Sequence, residues 1–72
     1  MIFMYYKRIR ELREDSDKTQ TDIAKLLNTT QQHYSRIEKG STEITADRIV
    51  ILAKYYHVSS DYILELSDKK HL

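Results

Sequence analysis

The chain holds 72 residues, 40% hydrophobic and 32% charged, which suits one domain and leaves too little for two. It has no cysteine, no proline and one glycine, which excludes disulfide staples and thiolate metal sites and argues for short helices over hairpins. Twelve basic against eleven acidic side chains leave a net charge of +1, so a polyanionic partner would need cations gathered on one face. His33, His57 and His71 lack the spacing of a ligand set, and no metal or cofactor site is expected. Nor is there a nucleophile–base pair, a carboxylate pair or a glycine-rich phosphate loop, so the chain reads as no enzyme. No apolar run approaches the ~20 residues of a membrane span. The opening MIFM lacks the length and basic flank of a signal peptide, so the expected location is the cytoplasm.

Tyr5, Ile9 and Leu12 fall at i, i+4 and i+7, which predicts a first helix from about residue 5 to Glu14, with Tyr6 at its flank. Residues 15–18 are wholly polar and read as a loop. Thr19 with Asp22 three positions on forms a capping box for a second helix, whose apolar face is Ile23, Ala24 and Leu27. Asn28 ends it, because asparagine tolerates the left-handed conformation of a helix stop. Thr30 caps the third helix, Thr29 and Tyr34 take imperfect staple positions around that cap, and Gly40 closes it. Thr45 caps a fourth helix with Asp47 in its first turn and a buried stripe of Ile49, Leu52, Ala53 and Tyr56. Ser59 caps the fifth, stapled by Val58 and Ile63, with Leu64 and Leu66 extending its apolar side. From Ser67 the tail is polar and expected to fray. The fold class is all-α, a single domain over residues 1–72 with its core at about 5–66 and its tail at 67–72. Only Asn28 and Thr29 separate the second and third helices, which forces a sharp helix-turn-helix.

At about 100° per residue, Tyr34, Ile37 and Glu38 share one side of the third helix and Gln32, Arg36 and Lys39 the other. Gln31 lies on a flank of the first turn, and His33 and Ser35 on the lateral edges. Glutamine can meet adenine N6 and N7 with two bonds, and arginine can meet guanine O6 and N7. A reading helix entering the major groove by its N-terminus would use Gln31, Gln32 and Arg36 on base edges. The second helix would meet the backbone with Gln20 and its free N–H groups, Lys18 adding charge. Good helix formers facing water give the same pattern, so periodicity alone leaves DNA contact and a solvated face equally open.

The segment TQTDIAKLLNTTQQHYSRIEKGST, residues 19–42, resembles the helix-turn-helix of the Cro/CI-type phage repressors and their bacterial relatives, the XRE family. The likeness extends through KRIRELRED before it and ILAKYYHVSSDYIL after it, and covers about residues 5 to 66. It implies a compact five-helix lambda-repressor-like fold and a sequence-specific, double-stranded DNA-binding transcriptional regulator. Repression is the commoner mode. By that resemblance Gln20 holds a phosphate and supports Gln31, Gln31 and Gln32 touch bases, and Arg36 matches another groove-facing position; Thr30, Ser35, Lys18 and Lys39 are further backbone candidates by their residue type and place. It also implies a structural ion pair between Arg13 and Glu38; the helical wheel agrees that Glu38 leans toward the core, where a lone carboxylate is costly.

Two departures stand out. The usual glycine of the helix-two to helix-three turn is Asn28, and the loop after the third helix, Ser41 to Ile44, carries Glu43 where relatives often place basic residues. Asp15 and Asp17 add acid before the second helix, so weaker DNA binding is one expectation. The length leaves no room for the second domain that many repressors carry. Tyr5, Tyr6, Tyr55 and Tyr62, beside Ile2, Phe3 and Leu66, are candidates for a self-association patch. Two copies on a palindromic operator are expected, since one such headgroup buries too little surface to specify a site. Tyr34 and Tyr56 read as core, and His57 as a turn residue. The competing class is a protein-interaction module, such as an antitoxin that binds a partner protein and its own promoter.

Overall fold

The computed structural model describes residues 6–67 and 70. Five helices follow one another: α1 Lys7–Asp15, α2 Gln20–Leu26, α3 Gln31–Lys39, α4 Ala46–Tyr56 and α5 Ser60–Ile63. Each sends a few apolar side chains to one shared core: Ile9 and Leu12 from α1, Ile23 and Ala24 from α2, Tyr34 and Ile37 from α3, Leu52 and Ala53 from α4, and Ile63 from α5. Leu27 and Val58 join them from the turns, and α3 packs against both α2 and α1. Tyr34, fully enclosed, is the largest of these side chains and the centre of the packing.

Local chemistry sets the helix starts. Thr19 Oγ1 accepts from the Asp22 N–H at 3.1 Å while the Asp22 carboxylate accepts from the Thr19 N–H at 3.0 Å, a complete capping box. The Thr19 N–H first, and the Thr19 hydroxyl beside it, hold the Asp22 carboxyl below its ordinary pKa. Thr30 Oγ1 accepts from the His33 N–H at 3.1 Å and Ser59 Oγ from the Tyr62 N–H at 3.0 Å. Thr45 departs from expectation: it occupies the N-cap of α4, but its side chain makes no cap bond to the backbone. Its hydroxyl instead engages Asp47, whose carboxyl, also reached by the Asp47 and Arg48 N–H groups, is held below the usual range. Asp47 thus answers the free donors of that helix end, where negative charge is favoured.

All five helices end in the same way. Asp17, Asn28, Gly40, His57 and Glu65 each adopt the left-handed conformation, with φ of 55°, 56°, 76°, 57° and 61°. After each, the next N–H reaches back five residues: Lys18 to the Arg13 carbonyl, Thr29 to Ala24, Ser41 to Arg36, Val58 to Ala53 and Leu66 to Asp61, at 2.8–3.1 Å. This is the Schellman closure, and only Gly40 adopts it without a Cβ penalty. Gly40→Ala should therefore lower stability by about 1 kcal/mol, and Asp17→Gly should raise it by about 0.5 kcal/mol. Thermal melts check both; an unshifted Gly40→Ala midpoint would mean the turn relaxes at no cost.

The same stop corrects one expectation. Because Glu65 turns the chain out of helical register, Leu66 does not extend the apolar side of α5 and stands 75% exposed. Leu64 is half-buried at the C-cap. Arg8 ties α1 to this end of the molecule: its Nη1 donates to the Tyr62 and Ser67 carbonyls at 2.9 and 2.8 Å, and its guanidinium lies 4.2 Å from the Tyr62 ring centroid. The Ser59 N–H donates to the Lys70 carbonyl at 3.0 Å. The expected start of the first helix at Tyr5, the apolar residues Ile2 and Phe3, and the fraying tail apart from Ser67 and Lys70 lie outside the described residues. Among the tyrosines set aside for self-association, Tyr6 and Tyr62 are half-buried against the core, whereas Tyr55 is exposed with its ring edge-on to Tyr56.

Candidate nucleic-acid interface

The turn Leu27–Thr30 delivers α3 across α2 with its buried side set by Tyr34, Ile37 and Glu38. The opposite side is open: Gln31, Gln32, Arg36 and Lys39 are all exposed. Thr30 is exposed with its oxygen engaged in the cap, and Ser35 is half-buried. A shallow polar depression between α1, α2 and α3 is lined by Gln20, Ser35 and Lys39 together with Arg10, Arg13 and Glu38. Three of the five backbone candidates therefore share one concavity. Lys18 stands apart from it, exposed on the loop before α2, with its carbonyl held by Arg13 Nη1 at 2.9 Å.

Beneath that concavity lies the ion pair. Arg13 Nε donates to Glu38 Oε2 at 2.6 Å and Nη2 to Oε1 at 3.2 Å, with side-chain exposures of 13% and 3%. The two-pronged geometry is what permits a carboxylate this deep in the protein. Burial on its own pushes the Glu38 carboxyl up, but the donors of Arg13 and Gln20, with the Tyr34 hydroxyl nearby, outweigh it, and the net pKa lies below the ordinary value. The Tyr34 hydroxyl faces this carboxylate closely enough to favour its charge while falling outside hydrogen-bond geometry. The hydroxyls of Tyr34 and Tyr56 are the buried polar side-chain atoms without a hydrogen-bond partner among the described residues. Burial raises the pKa of both phenols and so disfavours their ionisation.

From the pair, order passes outward to the surface. Gln20 Nε2 donates to Glu38 Oε1 at 3.1 Å, and Gln31 Nε2 donates to Gln20 Oε1 at 2.6 Å. An ionised carboxylate only accepts, so the Gln20 amide must turn its nitrogen inward and its oxygen toward Gln31. Gln31 is then obliged to donate. Its own oxygen and second N–H remain available, an acceptor and a donor side by side. A buried charge on α3 thus sets the polarity of an exposed amide at the start of the same helix.

Residue patterns did not reveal two of these contacts. The link from Gln20 to Glu38 had no signal in the sequence. The other joins α3 to α4, where Arg48 Nη1 lies 3.1 Å from His33 Nε2. His33 is half-buried at the edge of the outer face, and Arg48 is half-buried beside the α2–α3 turn, in a depression with Leu27, Asn28, Thr45, Asp47 and Ile51.

A helix-turn-helix family model matches residues 9–63, which span the five helices nearly end to end. The chain belongs to the Cro/CI-type helix-turn-helix family. The matched stretch contains the helix-turn-helix formed by α2 and α3. It is 38% identical over 65 residues to the uncharacterised helix-turn-helix transcriptional regulator YobD of Bacillus subtilis, an overlap of 90% of this chain and 58% of that protein. With the transcriptional regulator ImmR of the same organism it shares 33% identity over 58 residues, covering 81% of this chain and 46% of ImmR. The chain spans about half the length of these curated relatives. No solved structure matches it. Kinship with regulators agrees with the lack of a catalytic constellation in the sequence. Among the described residues, no helix is long and apolar enough to cross a membrane.

Proposed function

We propose that the chain is a sequence-specific, double-stranded DNA-binding regulator of transcription that acts by occupancy, most simply as a repressor in the cytoplasm. In this reading α3 lies in the major groove. Gln31, Gln32 and Arg36 meet base edges, and Lys18, Gln20, Thr30, Ser35 and Lys39 meet the backbone. The observation that carries it is the open outer side of α3 above a hydrogen-bond network that pre-aligns its first-turn amide. Preset groups lose less freedom on binding, so the same contacts give tighter association. Two copies on a palindromic operator supply the reach that one headgroup lacks.

Titrating the protein against random duplex and against its own upstream region, at several salt concentrations, tests this. The expected result is a steep salt dependence on both and a lower Kd on the upstream duplex. Equal, feeble binding to every duplex at low salt would remove the proposal. Lys18→Ala should weaken random and preferred duplexes by the same factor and reduce the salt slope by about one, the mark of a single lost phosphate contact.

A second reading draws on an apolar depression away from α3, lined by Val50, Ala53, Lys54, His57 and Val58, where Val50 is 45% exposed. A protein partner seated there, as for an antitoxin that also binds its own promoter, would be lost on Val50→Asp while duplex binding persists.

A further inference from the structure

The arginines divide by what holds them. Arg10 faces Glu14 at 3.5 Å, Arg13 grips Glu38, and Arg8 is anchored on carbonyls and the Tyr62 ring. Arg36 and Arg48 have no carboxylate within ion-pair distance among the described residues; the first lies on α3 and the second beside it on α4. Arg48 is held by a ring nitrogen instead. A guanidinium only donates, so His33 Nε2 must be the unprotonated, accepting nitrogen, with the ring proton on Nδ1. A neutral acceptor fixes the direction of the guanidinium without cancelling its charge, and leaves its other donors uncommitted. That is how a side chain is kept ready for an anion.

Position strengthens the case. His33 follows Gln32 directly and sits on the lateral edge of the exposed face, so the Arg48 guanidinium stands at the rim of that face. From Ser41 to Asp47, through the loop and into the first turn of α4, there is no cation and there are two acids, Glu43 and Asp47, the second acting on Arg48 through space without an ion-pair contact. Arg48 is the first basic residue after Lys39, and tertiary packing carries it back to the first turn of α3. We propose that Arg48 is a DNA phosphate-binding residue at the α3–α4 edge of the interface, with His33 as its positioning residue. The pair replaces the charge that the loop after α3 lacks. This rests on the DNA-binding reading above and adds a contact to it from outside the helix-turn-helix.

Salt-dependent duplex titration of the full chain tests the pair. Arg48→Ala should weaken random and preferred duplexes alike, by about three- to tenfold near physiological salt, and lower the slope of log affinity against log salt by about 0.9. Arg48→Lys should keep most of the slope, since it keeps the charge. His33→Ala should reproduce part of the loss, and His33→Gln, whose amide oxygen can still accept, should restore it. Melting curves for each variant separate lost contact from lost fold, and Arg48→Gln serves if the alanine form melts early. A wild-type slope retained by a folded Arg48→Ala overturns the phosphate role; full affinity in His33→Ala overturns the positioning role. If the wild-type chain binds no duplex, the DNA reading falls with it; if it binds and Arg48→Ala is silent, only this proposal falls.

Discussion

Replacing Arg13 with methionine is expected to remove about 3–5 kcal/mol of stability at pH 7, because it strands the Glu38 carboxylate at 3% exposure without its partner. A domain of this length holds roughly 4–10 kcal/mol in all, so the single variant should be near unfolding. Changing both residues, Arg13→Met with Glu38→Met, should recover much of the loss, since two apolar groups leave no charge to desolvate. The pH dependence has a definite sign. In the wild-type chain the folded pKa of Glu38 is lowered, so its contribution is present above the unfolded carboxyl value of about 4.3 and fades as pH falls through the folded pKa. Without Arg13 the burial that now opposes ionisation prevails, and the folded pKa moves above the unfolded one. The penalty on the variant then develops as pH rises through 4.3 and shrinks in acid. Urea unfolding of both proteins at pH 7 and pH 4 checks this: the stability gap should narrow at the lower pH. A constant gap would mean that Glu38 is not the charge at stake.

Why some of this could be read from residues alone follows from the range of each interaction. Helix starts depend on contacts three residues apart, and Thr19, Thr30 and Ser59 make them in the structure. Helix ends depend on a backbone conformation that many side chains enter at modest cost. Asn28 and Gly40 are legible as stops, while Asp17 and Glu65 carry no such signal in the sequence, and the stop at Glu65 is what turns Leu66 away from the apolar side of α5. Glu38 was placed toward the core by helical period, but its partners lie 25 and 18 residues away on α1 and α2, a separation no local pattern encodes. Arg48 was passed over for the opposite reason. The apolar stripe and the first-turn acid of α4 give Arg48 no role, and only its contact with His33 in the first turn of α3 brings it to the site.

On a preferred duplex, Arg36→Ala is expected to cost about 1–3 kcal/mol, a loss of roughly 5- to 150-fold in affinity, and on random duplex only the few-fold share that belongs to its charge. Arg36 is exposed and has no partner among the described residues, so nothing inside the protein need be broken before it meets a base. Gln32→Ala should follow the same pattern with a smaller effect on random duplex, because a neutral amide releases no counterion. Gln31 differs from both. Its amide is already committed through Gln20 to Glu38, so Gln31→Ala and Gln20→Ala should be non-additive: once either is made, the second adds less than its single effect. Competition titrations over a set of single-base operator variants give the decisive readout. Loss of discrimination at one base pair in Arg36→Ala, with the others still distinguished, identifies that side chain as the reader of that pair. A uniform loss at every position would reassign Arg36 to the phosphates and leave Gln31 and Gln32 to carry the specificity.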